Sequence, residues 1–333
     1  MYQFALIGCG RIATKHAEQI AAVGKLVAVC DVDETKAGVF AQQYGAKAYT
    51  YIDELLEAEK TVQVVSVCTP NGLHAEHTIK SLQNGRHVLC EKPLCIASAA
   101  AWSMMDTAYF FRRHLFVVKQ NRYNPAVQFV KGLLNDNKLG RILSFQINCF
   151  WNRPQAYYTG DWRGTRENDG GLLYTQFSHF IDLLYWFLGD VQEVCGYKKN
   201  NNLRTHFELE DAGAVSLTMH SGALGTLHYT INSYHHNQEG SFALFGEKGS
   251  VKIGGQYLNT IEWFHTEVNV GKPPADNTTA NNYGFYTGSM SNHHLVYQDL
   301  VRALDGQSHS LPPVKDAVKT VEIIERIYKK LSD

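Results

Sequence analysis

The sequence predicts an α/β protein of two domains: a doubly wound parallel sheet, then an α/β domain whose open sheet is mainly antiparallel. Over residues 1–120, short apolar strands alternate with helices of ten or more residues, which is typical of parallel sheets covered on both faces. After Asn121, successive strands follow one another without intervening helices, which favours antiparallel pairing. A length of 333 residues also exceeds what one core usually supports.

The first predicted domain, residues 1–120, alternates strands and helices in sequence order. The strands are expected at Phe4–Ile7, Leu26–Cys30, Val62–Cys68, Arg86–Cys90 and Leu115–Lys119. The helices are expected at Ile12–Val23, Glu34–Tyr44, Ile52–Glu59, Ala75–Asn84 and Ser98–Arg112. Because connections between parallel strands are right-handed, this order winds helices onto both faces of the sheet.

The second predicted domain, residues 121–333, mixes strands and helices differently. Its helices are expected at Ala126–Leu134 and Ser178–Leu188, and near Asn292–Leu304 and Asp316–Leu331. Its strands are expected at Ile142–Trp151, Ala212–Met219, Gly225–Asn232, Ser241–Phe245 and Ser250–Ile253, with a weaker candidate at Val194–Tyr197. Runs of strands without crossover helices predict a mainly antiparallel sheet.

The composition excludes several classes of function. With 31 basic and 32 acidic side chains, the chain has no basic surplus for binding nucleic acid. No apolar run reaches the roughly 20 residues that span a bilayer, so we expect a cytoplasmic protein without a membrane partner. The seven cysteines show neither C-x-x-C pairs nor zinc-ligand spacing, so neither a disulfide framework nor a metal site is expected.

The sharpest local pattern is G-x-G-x-x-A between the first strand and the first helix, at Gly8–Ala13. Gly8 permits the tight turn, Gly10 lets the backbone approach a pyrophosphate, and Ala13 lets the helix pack closely on the strand. The N–H groups at Arg11 and Ile12 then begin a helix whose positive end attracts phosphate. This context predicts a Rossmann dinucleotide-binding domain rather than an ordinary glycine-rich turn.

A carboxylate at the end of the second strand predicts which dinucleotide binds. Asp31 lies 23 positions after Gly8, where an acid accepts the ribose hydroxyls and repels a 2′-phosphate. Asp33 is the nearby competitor, better explained as a helix N-cap. No arginine directly follows Asp31, so the sequence favours NAD over NADP.

Polar turns follow two further strands of the predicted sheet. Thr69-Pro70-Asn71 comes after the third strand, either as part of the ligand site or as a simple turn with Asn71 capping a helix. Glu91-Lys92-Pro93 comes after the fourth strand. There the Lys92 ammonium can hydrogen-bond a substrate hydroxyl and stabilise charge that develops on oxygen. The alternative for Lys92 is an exposed lysine before a turn.

A third group of polar residues lies in the second domain. Gly170-Gly171 precedes Thr175, His179 and Asp182, whose i, i+4 and i+7 spacing predicts one shared helix face. His179 is then a candidate acid or base, although a histidine packed beneath a helix is also common.

Together the patterns G-x-G-x-x-A, T-P-N-x-x-H, E-K-P and G-G-x₇-H-x-x-D resemble the glucose–fructose oxidoreductase, inositol dehydrogenase and MocA family, over essentially the whole chain. The resemblance implies hydride transfer between a sugar or cyclitol carbon and a nicotinamide, with Lys92 and His179 as catalytic residues. It also implies a cis Lys92–Pro93 bond and oligomer contacts through the open sheet. Many members carry an aspartate where this chain has Thr175, so proton removal falls to Lys92, His179 or a water between them.

Carried over position by position, the resemblance implies two sets of binding residues and no metal. For NAD they are Gly8, Gly10, Arg11, Ile12, Asp31, Thr69, Asn71, His74, Glu91, Lys92, Trp162 and Arg163. For the substrate they are Lys92, Arg122, Tyr123, Thr175, Gln176 and His179.

Within the family the chain is similar to the UDP-N-acetylglucosaminuronate (UDP-GlcNAcA) 3-dehydrogenases, through Gly8–Ala13, Arg122–Pro125, Trp162–Thr165, Gly170-Gly171 and Thr175-Gln176. This similarity implies NAD-dependent oxidation of the C3 hydroxyl of UDP-GlcNAcA for lipopolysaccharide or related surface sugars, by a homodimer or homotetramer. Arginines suited to such an anionic nucleotide sugar are Arg122, Arg153, Arg163 and Arg166. The alternatives are a dehydrogenase of a free sugar or cyclitol, and a non-catalytic NAD-binding regulator.

Overall fold

The structure, a computed structural model, describes residues 1–159, 162–275, 280–282, 284 and 286–332, apart from the side chains of Asn282 and Thr287. Its contacts divide the chain into two units. The first comprises Met1–Lys119, Glu167–Asp169 and His293–Val321. The second comprises Gln120–Arg166, Gly170–Asn292 and Glu322–Asp333. The domain ranges 1–120 and 121–333 stay a prediction. In the structure, residues 293–321 pack with the first unit.

The sheet of the first unit has six parallel strands, and the predicted fold class is confirmed. They are β1 (Tyr2–Ile7), β2 (Gly24–Cys30), β3 (Lys47–Tyr49), β4 (Val64–Val67), β5 (His87–Cys90) and β6 (Leu115–Val117), in the order β3-β2-β1-β4-β5-β6. The order reverses between β1 and β4. In doubly wound sheets, ligands bind outside the carboxyl ends of the strands at this reversal.

Five helices connect these strands. They are α1 (Ala13–Val23), α2 (Glu34–Tyr44), α3 (Ile52–Ala58), α4 (His74–Gln83) and α5 (Ser98–Phe110), with one 3-10 turn at Asn71–Leu73. Helix α5 ends two residues before the predicted Arg112, because Arg112 has φ 51°, which a right-handed helix does not accommodate. All of Val64–Val67 is buried, as expected of a strand covered on both faces.

The sheet of the second unit has seven strands. They are β7 (Ile142–Phe150), β8 (Val191–Lys199), β9 (Ala212–Met219), β10 (Leu224–Thr230), β11 (Glu239–Gly246), β12 (Gly249–Gly254) and β13 (Thr260–Thr266), in the order β13-β12-β11-β7-β10-β9-β8. The pairs are antiparallel except β10 with β7. Burial alternates along β9 and β10, so one face of the sheet is covered and the other is open.

Four helices belong to the second unit alone: α6 (Pro125–Asn135), α7 (Gln155–Tyr158), α8 (Leu172–Thr175) and α9 (Ser178–Leu188). Helix α9 packs on the covered face, where Phe180 meets Trp151 with ring centroids 6.0 Å apart and Phe187 meets Phe242 at 5.6 Å. A hairpin of β14 (Ala280–Asn282) and β15 (Thr287–Met290) was not predicted.

Two helices close the chain, α10 (His293–Leu304) in the first unit and α11 (Val314–Lys330). Among the residues that the structure describes, no helix is both long and apolar enough to cross a membrane.

Candidate active site

The turn after β1 requires a glycine at Gly8. Its φ of 91° lies in the left-handed region, and a Cβ there would lie 2.7 Å from the backbone carbonyl of Cys68. The amide of Gly8 donates to the carbonyl of Cys30 at 2.8 Å. The glycine therefore lets the chain turn sharply between two neighbouring strands.

The start of α1 leaves space and hydrogen-bond donors for an anion. In the described part of the chain, no atom lies within 4 Å of where a Cβ on Gly10 would be. Ile12 precedes the helix and cannot cap it, and the first turn contains no acid. Ala13 is fully buried against the sheet. The amides of Ala13 and Lys15 donate to the carbonyls of Gly10 and Ile12, so the fit to the pyrophosphate of NAD rests on the open position beside Gly10 and on the positive end of the helix.

Asp31 follows β2 and is held in a fixed orientation beside this turn. Its Oδ2 accepts the N–H of Cys9 at 2.7 Å, and its Oδ1 accepts the N–H of Asp33 at 2.9 Å. A carboxylate oxygen accepts more than one hydrogen bond, so Asp31 retains the capacity to accept ribose hydroxyls. Asp33 is the N-cap of α2, as expected, because it accepts the N–H groups of Thr35 and Lys36.

Replacing Asp31 by alanine is expected to weaken NAD binding at least about tenfold, because hydrogen bonds to a charged group contribute roughly 1.5–3 kcal/mol. The preference for NAD over NADP should narrow at the same time, since the repulsion of a 2′-phosphate disappears. Titration calorimetry with both cofactors measures this. Asp33→Ala is the matched control and should lose helix stability but keep the preference. Equal NAD affinity in Asp31→Ala would remove Asp31 from the site.

His74 links the two polar turns of the first unit. Its Nε2 lies 2.9 Å from the carbonyl of Thr69, and its Nδ1 lies 2.7 Å from the carbonyl of Pro93. Burial lowers the pKa of His74. Asn71 is also buried and donates to the carbonyl of Asp169 at 2.9 Å. Because both ring nitrogens face backbone carbonyls, we expect His74 to shape the cofactor site rather than to contact NAD.

Lys92 lies at the carboxyl end of β5, as predicted. Its side chain is half-buried between two buried neighbours, Glu91 and Pro93. The Lys92–Pro93 peptide is cis, which confirms that prediction.

His179 lies in the first turn of α9 and is buried. Its Nε2 lies 3.3 Å from Nε2 of Gln120, which also donates to Ser289 at 3.0 Å. Oε1 of Gln120 is buried without a hydrogen-bond partner among the described residues. Sequence reasoning missed Gln120, although it is polar and directly follows an apolar strand. This buried oxygen beside His179 can accept a hydrogen bond from a ligand hydroxyl.

The prediction that Thr175 shares a helix with His179 is wrong. Thr175 ends the one-turn helix α8, and α9 begins three residues later. The reason is local: the amide of Phe177 donates to the carbonyl of Leu172, five residues back instead of four. Helical hydrogen bonding therefore stops between Thr175 and His179, and no common face extends across the gap.

Arg122 is engaged within the protein instead of facing an open site. Its Nε donates to Oδ2 of Asp182 at 2.8 Å and its second terminal nitrogen donates to Oδ1 at 2.9 Å. Both side chains are buried, and the guanidinium also lies 4.8 Å from the ring of Trp186. A bidentate pair of this kind neutralises the arginine. Arg122 is thus better explained as a structural residue than as the predicted substrate ligand.

Arg153 differs, since its buried guanidinium has only neutral partners among the residues that the structure describes. In the described part of the chain it donates to Oε1 of Gln176 at 2.9 Å, to the carbonyl of Asn152 and to Oδ1 of Asn237. Three aromatic rings surround it, those of Trp151, Tyr157 and Tyr286, at 5.0–5.5 Å. A buried cation is costly without a counter-charge, so this site favours an anionic ligand.

Several further predicted residues lie in the second unit. Arg163 stacks on Trp162 at 4.6 Å and on Tyr157 at 5.1 Å. Gln176 accepts a hydrogen bond from Nε of Arg153 and donates one to the hydroxyl of Tyr157 at 3.0 Å. Tyr123 is half-buried in a 3-10 turn. The aromatic and arginine side chains therefore form one group around Tyr157.

Comparisons with known proteins agree with this geometry. Residues 2–117 match the family model described as an oxidoreductase family with an NAD-binding Rossmann fold, and residues 131–333 match the model of its C-terminal alpha/beta domain. The chain is similar to the WlbA dehydrogenase of Chromobacterium violaceum, solved with NADH and UDP-GlcNAcA, at 33% identity and a TM-score of 0.88, over 99% of this chain and 93% of that one.

Two further relatives extend the comparison. The WlbA dehydrogenase of Bordetella pertussis, also solved with NADH and UDP-GlcNAcA, is 31% identical with a TM-score of 0.88, over 99% of this chain and 96% of that one. Glucose-6-phosphate 3-dehydrogenase of Bacillus subtilis is 32% identical over 62% of this chain, and the match spans 59% of that enzyme's length.

Proposed function

The chain belongs to the NAD-binding oxidoreductase family with a C-terminal alpha/beta domain, and from this we propose that it oxidises the C3 hydroxyl of UDP-GlcNAcA to a ketone. NAD is the cofactor and supplies the acceptor, C4 of its nicotinamide, for the hydride that leaves C3. The hydroxyl proton is released at the same time, so the alcohol loses two electrons and NAD gains them.

The observation that carries the proposal is the buried Arg153. Its described partners are neutral oxygens that occupy Nε and one terminal nitrogen. None of these bonds uses the other terminal nitrogen, which can donate to a carboxylate or a phosphate. A uronate linked to a diphosphate supplies both kinds of anion. A free cyclitol supplies neither and would leave the guanidinium without a counter-charge.

The relatives support the same substrate class. Both WlbA structures contain UDP-GlcNAcA together with NADH. The name of the Bacillus subtilis enzyme states oxidation at position 3 of an anionic sugar. A negatively charged sugar is therefore common to these relatives and to our proposal, and oxidation at position 3 is common to the Bacillus subtilis enzyme and to our proposal.

We assign the proton chemistry to Lys92 and His179. Lys92 would hydrogen-bond the C3 oxygen and stabilise its developing negative charge, and either side chain could take the proton. Thr175 has no acidic or basic group, so it can only bind or orient. Gln120 would add an acceptor for a neighbouring hydroxyl.

Two rival functions remain distinguishable. A dehydrogenase of a free sugar or cyclitol would use the same Lys92 and His179 but would have no use for the charge of Arg153. A non-catalytic NAD-binding regulator would need neither Lys92 nor His179. The presence of both residues argues against a regulator, whereas the fold alone would not, since one fold supports many functions. We further propose that the enzyme works in the cytoplasm, as a homodimer or homotetramer, in making sugars for lipopolysaccharide or related surface polymers.

The test compares NADH formation with UDP-GlcNAcA, UDP-GlcNAc, glucose 6-phosphate and myo-inositol. We expect UDP-GlcNAcA to give the highest kcat/KM, because Arg153, taken as the partner of the uronate carboxylate, is left unpaired by UDP-GlcNAc, which has no carboxylate. Arg153→Met should remove most of the preference for the uronate over UDP-GlcNAc. Myo-inositol matching the nucleotide sugar would favour the first rival, and no reduction by any compound would favour the regulator.

A further inference from the structure

A chain of buried polar side chains crosses the first unit and ends beside Lys92. Oγ of Ser66 lies 2.8 Å from the hydroxyl of Tyr297, which lies 2.8 Å from Nδ1 of His16. Nε2 of His16 lies 2.8 Å from Oε1 of Glu91, and Oε2 of Glu91 accepts the backbone N–H of Lys92 at 3.0 Å. The side chains come from β4, α10, α1 and the end of β5. Each of these four residues is at most 5% exposed.

The hydrogen bonds of this chain run in one direction. Although burial raises the pKa of Glu91, its hydrogen bond with His16 and the His293 ring, whose Nε2 lies 3.4 Å from Oε1, hold that pKa well below its usual value. Glu91 is therefore ionised and only accepts. Burial lowers the pKa of His16, so its single ring proton lies on Nε2, towards Glu91. Nδ1 of His16 then accepts from Tyr297, and Tyr297 accepts from Ser66.

The distances identify this cluster as hydrogen-bonded rather than metal-binding. His16, Glu91 and His293 place ligand-type atoms within 4.8 Å of one another. A tetrahedral zinc with bonds of about 2.0–2.1 Å would separate its ligand atoms by about 3.3 Å. Nε2 of His16 and Oε1 of Glu91 are 2.8 Å apart, which is the length of a charge-assisted hydrogen bond.

Both oxygens of Glu91 are therefore in use, one by His16 and the other by the amide of Lys92. On the other side of Lys92, the carbonyl of Pro93 contacts His74 at 2.7 Å. The main chain on each side of Lys92 is thus tied to a buried side chain. A buried carboxylate costs stability relative to an apolar side chain, so packing alone does not account for an acid at this position.

We propose that Glu91 is a positioning residue for Lys92, held in place by the hydrogen-bonded chain through His16, Tyr297 and Ser66. The chain fixes the backbone from which the Lys92 side chain extends, and so fixes where its ammonium lies. This inference rests on the proposed function only in taking Lys92 as the lysine that acts on the substrate.

Glu91→Gln tests the proposal because an amide has only one accepting oxygen. Either His16 or the Lys92 amide must then face the NH₂ group. We expect hydrogen exchange of the Lys92 amide to become faster, and kcat to fall about 10- to 100-fold, the cost of a small misplacement of a reacting group. NAD affinity should change less than about threefold, because His16 and the Lys92 amide occupy both oxygens of Glu91, so we replace the NAD contact expected of Glu91 from the resemblance with this internal role.

Two further variants complete the design. Glu59→Gln is the matched control, since Glu59 is a buried carboxylate that accepts from Lys47 and Tyr49 in the same unit. It should leave exchange at Lys92 and kcat unchanged. Tyr297→Phe removes only the hydroxyl that donates to His16, and it should give a smaller loss of kcat with unchanged NAD affinity.

Each outcome decides the proposal. Unchanged exchange at Lys92 in Glu91→Gln overturns it, as does faster exchange with unchanged kcat in both Glu91→Gln and Tyr297→Phe. Faster exchange throughout the first unit with a matching loss of NAD binding would reduce Glu91 to a structural role. If the wild-type protein oxidises none of the sugars, the proposed function fails, and exchange at Lys92 alone then decides whether Glu91 holds it.

Discussion

Lys92→Ala is expected to lower turnover of UDP-GlcNAcA by at least about 10²-fold, the contribution typical of a general acid or base. The ammonium would no longer stabilise charge on the C3 oxygen, and the removal of the proton would lose one of its two candidate groups. NAD binding should be retained, because we expect the phosphate and ribose contacts at Gly10, at the start of α1 and at Asp31. Steady-state kinetics and cofactor titration measure the two effects separately.

Lys80→Ala is the control for this variant. Lys80 lies in the same unit and forms exposed ion pairs with Asp53 and Glu76, so its loss should change neither kcat nor NAD affinity. Near-normal turnover in Lys92→Ala would leave Lys92 with a structural role. Loss of NAD binding together with turnover would instead make it a cofactor ligand.

Arg122→Ala is expected to destabilise the protein by about 3–5 kcal/mol, the usual cost of removing one partner from a buried ion pair. The substitution leaves the Asp182 carboxylate buried without its two short hydrogen bonds, and it also removes the contact with Trp186. Urea unfolding of the second unit, followed by tryptophan fluorescence, measures the change in the free energy of unfolding.

Arg141→Ala supplies the comparison, because Arg141 pairs with Glu247 on the surface. Exposed pairs are screened by solvent, so its removal should leave the free energy of unfolding nearly unchanged. If Arg122→Ala folds as stably as Arg141→Ala but loses affinity for the sugar, Arg122 is a substrate ligand after all.

The parts of the site that could be predicted from the sequence are those built from neighbouring residues. The roles of Gly8 and Asp33 follow from the backbone conformation that a turn or a helix cap requires. Such local requirements select particular residue types, so a sequence motif predicts them. Asp31 is bound to the amide of Cys9, 22 positions away, which still lies within one βαβ unit.

Contacts between distant parts of the chain could not be predicted in this way. Tyr297 joins His16 across 281 positions, so nothing near Glu91 indicates what surrounds its carboxylate. The pairing of Arg122 with Asp182 spans 60 positions, and a charged side chain met alone in a sequence gives no sign of its partner.

Two of the missed strands, β3 and β13, were missed for different reasons. β3 has only three residues, which is too few to show an alternating pattern. In β13 every residue is partly or fully exposed, so no apolar period distinguishes it from a loop. Where one face was buried, as in β9, the predicted and observed bounds coincide.

Hydride transfer from C3 of the sugar to NAD can be followed with a deuterium label. The NAD-loaded protein is mixed in a single turnover with UDP-GlcNAcA that carries deuterium at C3, and the cofactor and sugar are then analysed by mass spectrometry. Our account predicts that the deuterium appears in NADH and that the sugar becomes a 3-keto nucleotide sugar. NADH without deuterium would contradict it. The absence of NADH after mixing with UDP-GlcNAcA, when the same protein oxidises myo-inositol, would also contradict it.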